Sequence, residues 1–171
     1  MTDNADELYD AAKIKYIHDA SKRKECIELL KKAIKLDPKN LKYWLRIGYF
    51  FRYEKDFKNA ENAFTKCIEI NPNDPWTHYY RGIAKFAQKN YESAINDFTI
   101  AENLELEGEE FYGAGSLEDL FLWRADAHEA LGNYNSAISD FEQFGFYSGK
   151  SYVTKREVKR IREKMEKEGK T

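Results

Sequence analysis

The side chains that most often carry catalysis or bind metal ions are few in this sequence. It has 3 histidines and 2 cysteines (His18, His78, His128, Cys26 and Cys67), and none of them stands at the His-x₃-His or Cys-x₂-Cys spacing of a zinc site. No local spacing points to a Ser-His-Asp or Cys-His constellation for nucleophilic catalysis. We therefore expect no metal, no cofactor and no enzymatic activity. The two cysteines are expected to be buried free thiols.

One segment looks at first like a phosphate-binding loop. The run from Gly145 to Ser151 reads GFYSGKS, whereas the P-loop motif G-x₄-G-K-[ST] requires one more residue between its glycines. A P-loop also follows a β-strand, because the turn after the strand directs its amides at the phosphate, and here the preceding pattern is helical. We interpret this segment as the turn into a C-terminal helix.

Charge is nearly balanced overall but unevenly placed. The formal net charge of −2 disfavours binding to nucleic acid or to an anionic membrane surface. The stretch from Tyr91 to Glu129 is strongly acidic, and the stretch from Lys150 to Thr171 is basic. These are either two solvated helix faces or two surfaces for partners of opposite charge. The polar N-terminal residues and the absence of a long apolar run predict a cytoplasmic protein.

The elements that position these residues follow from an internal repeat. Pro38 and Pro72 each follow an apolar helical run, and they lie 34 residues apart. The sequence KDFKNA that begins at Lys55 returns 34 residues later as KNYESA from Lys89, and it returns once more, after a longer interval of 43 residues, as GNYNSA from Gly132. A period of this length predicts a stack of helical hairpins, each of which needs its neighbours to bury an apolar face.

These positions resemble the tetratricopeptide repeat family, whose unit carries W-x₂-L-G-x₂-Y, then A-x₃-F, then P. Residues 41–74 match this pattern best, through Trp44, Ile47, Gly48, Phe51, Phe57, Ala60, Phe64, Cys67 and Pro72. The resemblance implies an all-α solenoid of four tetratricopeptide helix-turn-helix hairpins in a right-handed superhelix, closed by a C-terminal capping helix. The whole chain, 1–171, would be one domain.

The predicted units cover residues of about 7–40, 41–74, 75–108 and 118–151, with the capping helix at about 155–168. Within each unit a small residue on helix A or B lets the two helices approach, and a large one fills the space between them. Asp74 followed by Pro75 predicts a helix start, and Ser116 and Thr154 are each expected to begin a capping box. The insertion at about 107–116 either lengthens the third helix B or covers part of the groove edge.

The resemblance also implies a binding face. Positions 2, 5, 9, 12 and 13 of each helix A share one side of the helix, and in tetratricopeptide arrays this side lines the concave groove that binds peptides. The expected groove residues are Lys15, His18, Lys42, Leu45, Tyr49, Arg52, Tyr53, Trp76, Tyr79, Ile83, Phe86, Asp119, Leu122, Asp126 and Glu129. The alternative is that Trp76, Tyr79 and Phe86 pack against neighbouring helices instead.

We therefore expect a non-catalytic protein–protein interaction module that binds a client peptide or helix in this groove. The lysines, asparagines and arginine of the two-carboxylate clamp are not found at the matching positions, so that type of chaperone C-terminus is not the expected partner. Nucleic acid and membranes are not expected partners either. The alternatives are a dedicated chaperone for one client and a self-assembling scaffold subunit, with weak homo-oligomers as its consequence.

Overall fold

The computed structural model describes residues 4–104 and 117–170, with the side chains of His18 and Ala20 excepted. A 3₁₀ turn at Ala20–Lys22 precedes the second helix. The α-helices are α1 Ala5–His18, α2 Arg23–Leu36, α3 Leu41–Tyr53, α4 Phe57–Ile70, α5 Pro75–Ala87, α6 Tyr91–Asn103, α7 Leu117–Ala130, α8 Tyr134–Ser148 and α9 Ser151–Lys167. The described residues form no strand. The insertion at about 107–116 and the cap expected at Ser116 lie outside them.

The helices form four antiparallel pairs followed by α9, so the predicted all-α solenoid is confirmed. The helix α1 packs on α2, and each later first helix packs both on its partner and on the second helix of the unit before it. The buried side chains form three clusters that follow one another along the array. Trp44 packs against the first two clusters, and Leu122 packs against the last two, so the core is continuous. This is the core expected of units that cannot fold alone.

Small residues let the two helices of a unit approach, as the sequence predicts. A Cβ atom on Gly48 would lie 2.8 Å from the Phe64 ring, and one on Gly82 would lie 2.7 Å from the Phe98 ring. Both phenylalanines are fully buried. Glycine at these two positions is therefore required by close packing, since a side chain would force the ring out of place.

The turns repeat from unit to unit as well. The side chain of Asp74 accepts a hydrogen bond from the backbone N–H of Thr77 at 3.1 Å, and Pro75 occupies the first turn of α5, which confirms the predicted start. The turns from helix A to helix B in units two, three and four each contain one residue with positive φ. These residues are Lys55 at 61°, Lys89 at 64° and Gly132 at 76°.

The capping helix begins earlier than the sequence predicts. Helix α9 starts at Ser151, and Thr154 lies inside it instead of capping it. The reason is Gly149, whose left-handed φ of 67° ends α8 and turns the chain directly into α9. The hydroxyl of Thr154 donates to the Phe141 carbonyl at 3.3 Å, and the approach needs Gly145, where a Cβ would lie 2.1 Å from that hydroxyl. The look-alike of a P-loop is therefore the end of α8 and its turn into α9.

A buried ion pair joins the helices of the third unit. The guanidinium of Arg81 on α5 donates to both carboxylate oxygens of Asp97 on α6, at 2.8 and 2.7 Å. Lys85 pairs with the same carboxylate at 2.8 Å, and Asp97 is fully buried. Burial by itself raises the pKa of Asp97, but the interactions with His78, Arg81 and Lys85 outweigh it and lower the pKa to about 2.

The fourth unit repeats this pair. Arg124 on α7 donates to both carboxylate oxygens of Asp140 on α8, at 3.0 and 2.7 Å. Each arginine also reaches the second helix of the preceding unit, where Arg81 donates to Thr65 at 3.5 Å and Arg124 to Thr99 at 3.3 Å. We call each Thr–Arg–Asp set a bracket, since it ties one unit internally and fastens it to the previous one.

Cys26 and Cys67 are buried and unpaired, which confirms the expectation for both. Burial raises the pKa of the Cys67 thiol well above its ordinary value. No helix in the described ranges is both long and apolar enough to cross a lipid bilayer.

Candidate functional site

The first helices of the four units, α1, α3, α5 and α7, each present the side predicted to bind a partner. We call the surface formed by unit positions 2, 5, 9, 12 and 13 of these helices the groove face. Four of its predicted residues belong to the core, namely Leu45, Tyr49, Tyr79 and Ile83, which are exposed by 8% or less. They lie in the core cluster shared by neighbouring units, where the side chains of the adjacent helix pair cover them. Their burial agrees with the packing alternative for Tyr79, and these four offer little surface to a partner.

The end of α3 keeps a more open arrangement. The guanidinium of Arg52 lies over the rings of Tyr53, Tyr80 and Tyr49, at 4.8, 5.2 and 5.5 Å from their centroids. The Nε of Arg52 is buried and has no hydrogen-bond partner in the described ranges. Tyr53 beside it is 44% exposed. Aromatic faces attract a cation but accept few of its hydrogen bonds, so this guanidinium keeps donors for a further acceptor.

A pocket lies where α3 and α5 begin. Its volume is about 430 Å³, and it is lined mainly by apolar atoms. Three of the predicted groove residues, Lys42, Leu45 and Trp76, contribute to its walls. The indole of Trp76 is partly exposed and is roughly parallel to the ring of Tyr80, at 6.1 Å. The pocket could therefore hold an apolar side chain of a partner, next to the exposed part of the groove face.

The two predicted lysines of the groove face are held by neighbouring carboxylates. Lys42 pairs with Asp6 at 2.6 Å and lies over the ring of Tyr9 at 5.1 Å. Lys15 pairs with Glu25 at 2.6 Å. The side chain of His18 is outside the described part of the chain. These lysines are therefore already neutralised, in contrast to Arg52.

At the other end of the groove face, α7 supplies acidic side chains. Glu129 is held by the capping helix, with Arg160 at 2.7 and 2.6 Å and Lys164 at 3.2 Å. The Arg160 hydrogen bonds lower the pKa of Glu129. The acidic and basic stretches of the sequence thus meet within the molecule, which neutralises part of both.

Asp126 differs from Glu129 because it has no hydrogen bond or ion pair in the described ranges. Its side chain is partly buried. Burial, followed by the negative charge of Glu129, raises the pKa of Asp126 above its ordinary value. Asp119 and Leu122, on the same helix, are also partly buried.

Aromatic side chains join the middle of the groove face to its acidic end. The ring of Phe86 on α5 meets that of Trp123 on α7 edge-on at 5.2 Å. Both are partly exposed. The sequence left open whether Trp76, Tyr79 and Phe86 line the groove or pack against neighbouring helices. In the structure Trp76 and Phe86 are partly exposed, whereas Tyr79 is buried.

A second aromatic patch lies away from the groove face and was not predicted. Phe146 at the end of α8 is 78% exposed, and Tyr152 at the start of α9 is 77% exposed. The ring of Tyr147 meets that of Phe146 edge-on at 5.2 Å and stacks on that of Phe121 at 5.5 Å. The signal in the sequence is the run of aromatic residues Phe144, Phe146, Tyr147 and Tyr152, which lies in and beside the segment interpreted above as a turn.

The described ranges contain no group of three or more histidine, cysteine, aspartate or glutamate side chains placed to hold a metal ion.

Comparison with known proteins points in one direction. A sequence model described as the tetratricopeptide repeat matches residues 41–74 and 118–144, and a second model of the same repeat matches residues 63–96. Protein SGT1 homolog of Homo sapiens is 28% identical over 81 residues, which are 47% of this chain. The chain spans 22% of the length of that protein.

Solved structures agree on the fold. A crystal structure of MamA protein superposes with a TM-score of 0.82 at 18% identity, covering 99% of this chain and 85% of that one. The first repeat domain of Spaghetti (RPAP3), solved with the HSP90 peptide SRMEEVD, gives a TM-score of 0.61 at 19% identity. It covers 73% of this chain and 94% of that one. At these identities the similarity concerns the architecture alone.

Proposed function

Because the chain belongs to the tetratricopeptide repeat family, we propose that it is a non-catalytic interaction module whose groove face binds a segment of a partner protein. The partner segment would lie across α3, α5 and α7. Its apolar side chains would contact Trp76 and the neighbouring pocket, and its polar groups would meet Arg52 and Tyr53.

The observation that carries this proposal is the arrangement at the end of α3. Arg52 is partly buried on three tyrosine rings, yet no carboxylate in the described ranges pairs with it. Tyrosine, tryptophan and arginine are the residues that contribute most to binding energy at protein interfaces. Rigid aromatic side chains give a large contact area with little loss of entropy. A partially desolvated arginine among aromatics is therefore suited to a protein ligand.

The structural neighbour with a bound peptide supports the size of the ligand. The repeat domain of Spaghetti (RPAP3) was solved with the seven-residue sequence SRMEEVD. A segment of similar length would be suitable here. The partner itself would differ, since the residues of the two-carboxylate clamp are missing at the corresponding positions of this chain.

The experiment is affinity capture with the full chain from its native source, with partners identified by mass spectrometry. We would compare the wild type with Arg52→Glu and with Tyr53→Ser/Trp76→Ser. The matched control is Phe146→Ser/Tyr152→Ser, which removes two exposed aromatics from the patch outside the groove face. Thermal unfolding followed by circular dichroism would show whether each variant keeps its fold.

We expect a specific partner that the control variant retains and both groove variants lose. Partners that are lost with the control and kept by the groove variants would place binding at the second patch and would refute the proposal. Recovery of one partner that is insoluble alone would favour the dedicated chaperone, and self-association in light scattering would favour the scaffold. The cytoplasmic location stays a prediction.

A further inference from the structure

Arg52 and Asp126 are opposite charges on the same face, and each is incompletely paired. Among the described residues the guanidinium of Arg52 meets only aromatic rings, and its Nε has no acceptor there. A guanidinium can donate two parallel hydrogen bonds to one carboxylate, and such a pair is stronger than a bond between neutral groups. The unmet donors of Arg52 therefore fit a carboxylate brought by a ligand.

Asp126 is the complementary group on α7. Arg160 of the capping helix donates its hydrogen bonds to Glu129, at 2.7 and 2.6 Å, and to Glu157 at 2.8 Å, and its charge only partly offsets the burial of Asp126 and the repulsion from Glu129. A lysine or arginine on a ligand would form the direct ion pair that Asp126 lacks among the described residues, and this pair would offset the unfavourable burial of the carboxylate.

The two groups are separated by two steps along the array, from α3 to α5 and from α5 to α7. Packed helices lie 8–10 Å apart, so the distance is about 20 Å, which an extended chain spans with about six residues. Trp76, Phe86 and Trp123 lie on the helices between or beside the two charges and are partly exposed. The face is therefore cationic at one end, aromatic in the middle and anionic at the other.

We propose that the groove face recognises an extended partner segment by its charge order, with an acidic group held by Arg52, apolar side chains on the aromatic middle, and a basic group held by Asp126. The order fixes the direction in which the segment lies, since a reversed segment would place like charges together. This inference rests on the proposed function and specifies the chemistry of its ligand.

The test uses a random 12-residue peptide library displayed on phage and selected against the full chain. Peptides selected by the wild type are synthesised and titrated against Arg52→Glu and Asp126→Lys. The controls are Lys58→Glu on α4 and Glu92→Lys on α6, which make the same charge reversals at exposed positions outside the groove face. Circular dichroism melting curves would establish that all four variants are folded.

We expect the selected peptides to carry an acidic and a basic residue about six residues apart, with aromatic or aliphatic residues between them. Each groove-face reversal should weaken binding by tenfold or more, as expected of a close charge pair at an interface, and the controls should not. Exchanging the acidic residue of a peptide for lysine should restore binding to Arg52→Glu, and exchanging the basic residue for glutamate should restore binding to Asp126→Lys.

The two proposals fail in different ways. Peptides that bind the groove face but show no charge order, or that bind Arg52→Glu and Asp126→Lys as tightly as the wild type, would overturn the charge-order inference alone. Selected peptides whose binding is lost in Phe146→Ser/Tyr152→Ser but kept in all groove variants would overturn the proposed function as well. A library that yields no binder to the folded chain would also contradict both.

Discussion

Asp97 is the shared partner of three basic side chains in the third unit, and its removal tests how the units are held together. It is fully buried and faces Arg81, Lys85 and His78. The side chains of Arg81 and Lys85 are only 16% and 14% exposed, so removing the carboxylate leaves two cations largely out of water. We predict that Asp97→Ala strongly destabilises the fold.

The magnitude follows from two routes. A pKa lowered from 3.8 to about 2 corresponds to about 2 kcal/mol of stability at neutral pH. Leaving a partner of a buried ion pair uncompensated costs about 3–5 kcal/mol. The two routes together give about 2–5 kcal/mol, and for a chain of this size 1 kcal/mol shifts the melting temperature by about 2–4 °C, so we expect a decrease of about 4–20 °C.

The second unit supplies the matched control, because the positions of Arg81 and Asp97 are occupied there by Ile47 and Ala63. Both are buried, so this chain already contains an apolar version of the same contact. The double variant Arg81→Ile/Asp97→Ala should therefore be less destabilised than the two single changes summed, by about 1–3 kcal/mol.

The assay is urea unfolding followed by circular dichroism, at neutral pH and at acid pH. Because the folded pKa of Asp97 is depressed, its contribution is present above the unfolded pKa of 3.8 and is lost as the pH falls through about 2. The stability difference between wild type and Asp97→Asn should shrink over that range. The bracket would not be a tie between helices if the losses of unfolding free energy in the two single variants added up to that of the double variant. A loss below about 1 kcal/mol in Asp97→Ala would refute it as well.

Three further predictions concern packing, turns and charge. Gly82→Ala should destabilise the protein by about 1–3 kcal/mol in urea unfolding, because its Cβ would lie 2.7 Å from the Phe98 ring, and an unchanged midpoint would contradict the required close approach. Lys89→Gly should stabilise it by about 0.5–1 kcal/mol, since the residue has a φ of 64° and is exposed, whereas Lys66→Gly, at an exposed position in the interior of α4, should destabilise it. Asp126→Asn should raise the melting temperature at neutral pH. Burial and Glu129 raise the pKa of Asp126 above its unfolded value, so the ionised side chain opposes folding. The contribution of Asp126 to stability is therefore present at low pH and is lost as the pH rises through the folded pKa. The increase should vanish at about pH 3, below the ordinary pKa of an aspartate, where the side chain is protonated in both states; an equal increase at both pH values would exclude the charge as its cause.

The architecture was predictable because the repeat leaves a strong periodic signal. Gly48 and Phe64 recur as Gly82 and Phe98 at the same spacing, and one such contact determines how two helices pack. The start of α9 was less predictable. It depends on the left-handed turn at Gly149, whereas the sequence around Thr154 looked like a helix start.

The brackets were missed although their spacing was available. Arg81 precedes Asp97 by the same 16 residues that separate Arg124 from Asp140. In the sequence each arginine directly precedes the small residue of its helix A, Gly82 or Ala125, but nothing in the pattern showed that its partner on helix B would be a buried carboxylate. In units one and two the corresponding positions hold different residues, so a comparison of units did not reveal the pair.

The sequence predicted where the groove face lies, but it predicted less well which residues of that face stay exposed. Helical periodicity places Tyr49 and Arg52 on the same side of α3. Which of the two stays open depends on how closely the next unit packs, and that is a property of the assembled core. Tyr49 became part of the core, while Arg52 at the end of the helix kept exposed surface above the tyrosine rings.

The most direct test of the account is site-specific photo-crosslinking of the full chain in cells of its native source. A photoreactive phenylalanine analogue would replace Tyr53 on the groove face or, in a separate protein, Tyr152 on the second patch; the two positions are 44% and 77% exposed. We predict a crosslinked partner from position 53 that is lost when Arg52 is changed to Glu, and no such product from position 152. Crosslinking of the partner from position 152 and not from position 53 would contradict binding at the groove face.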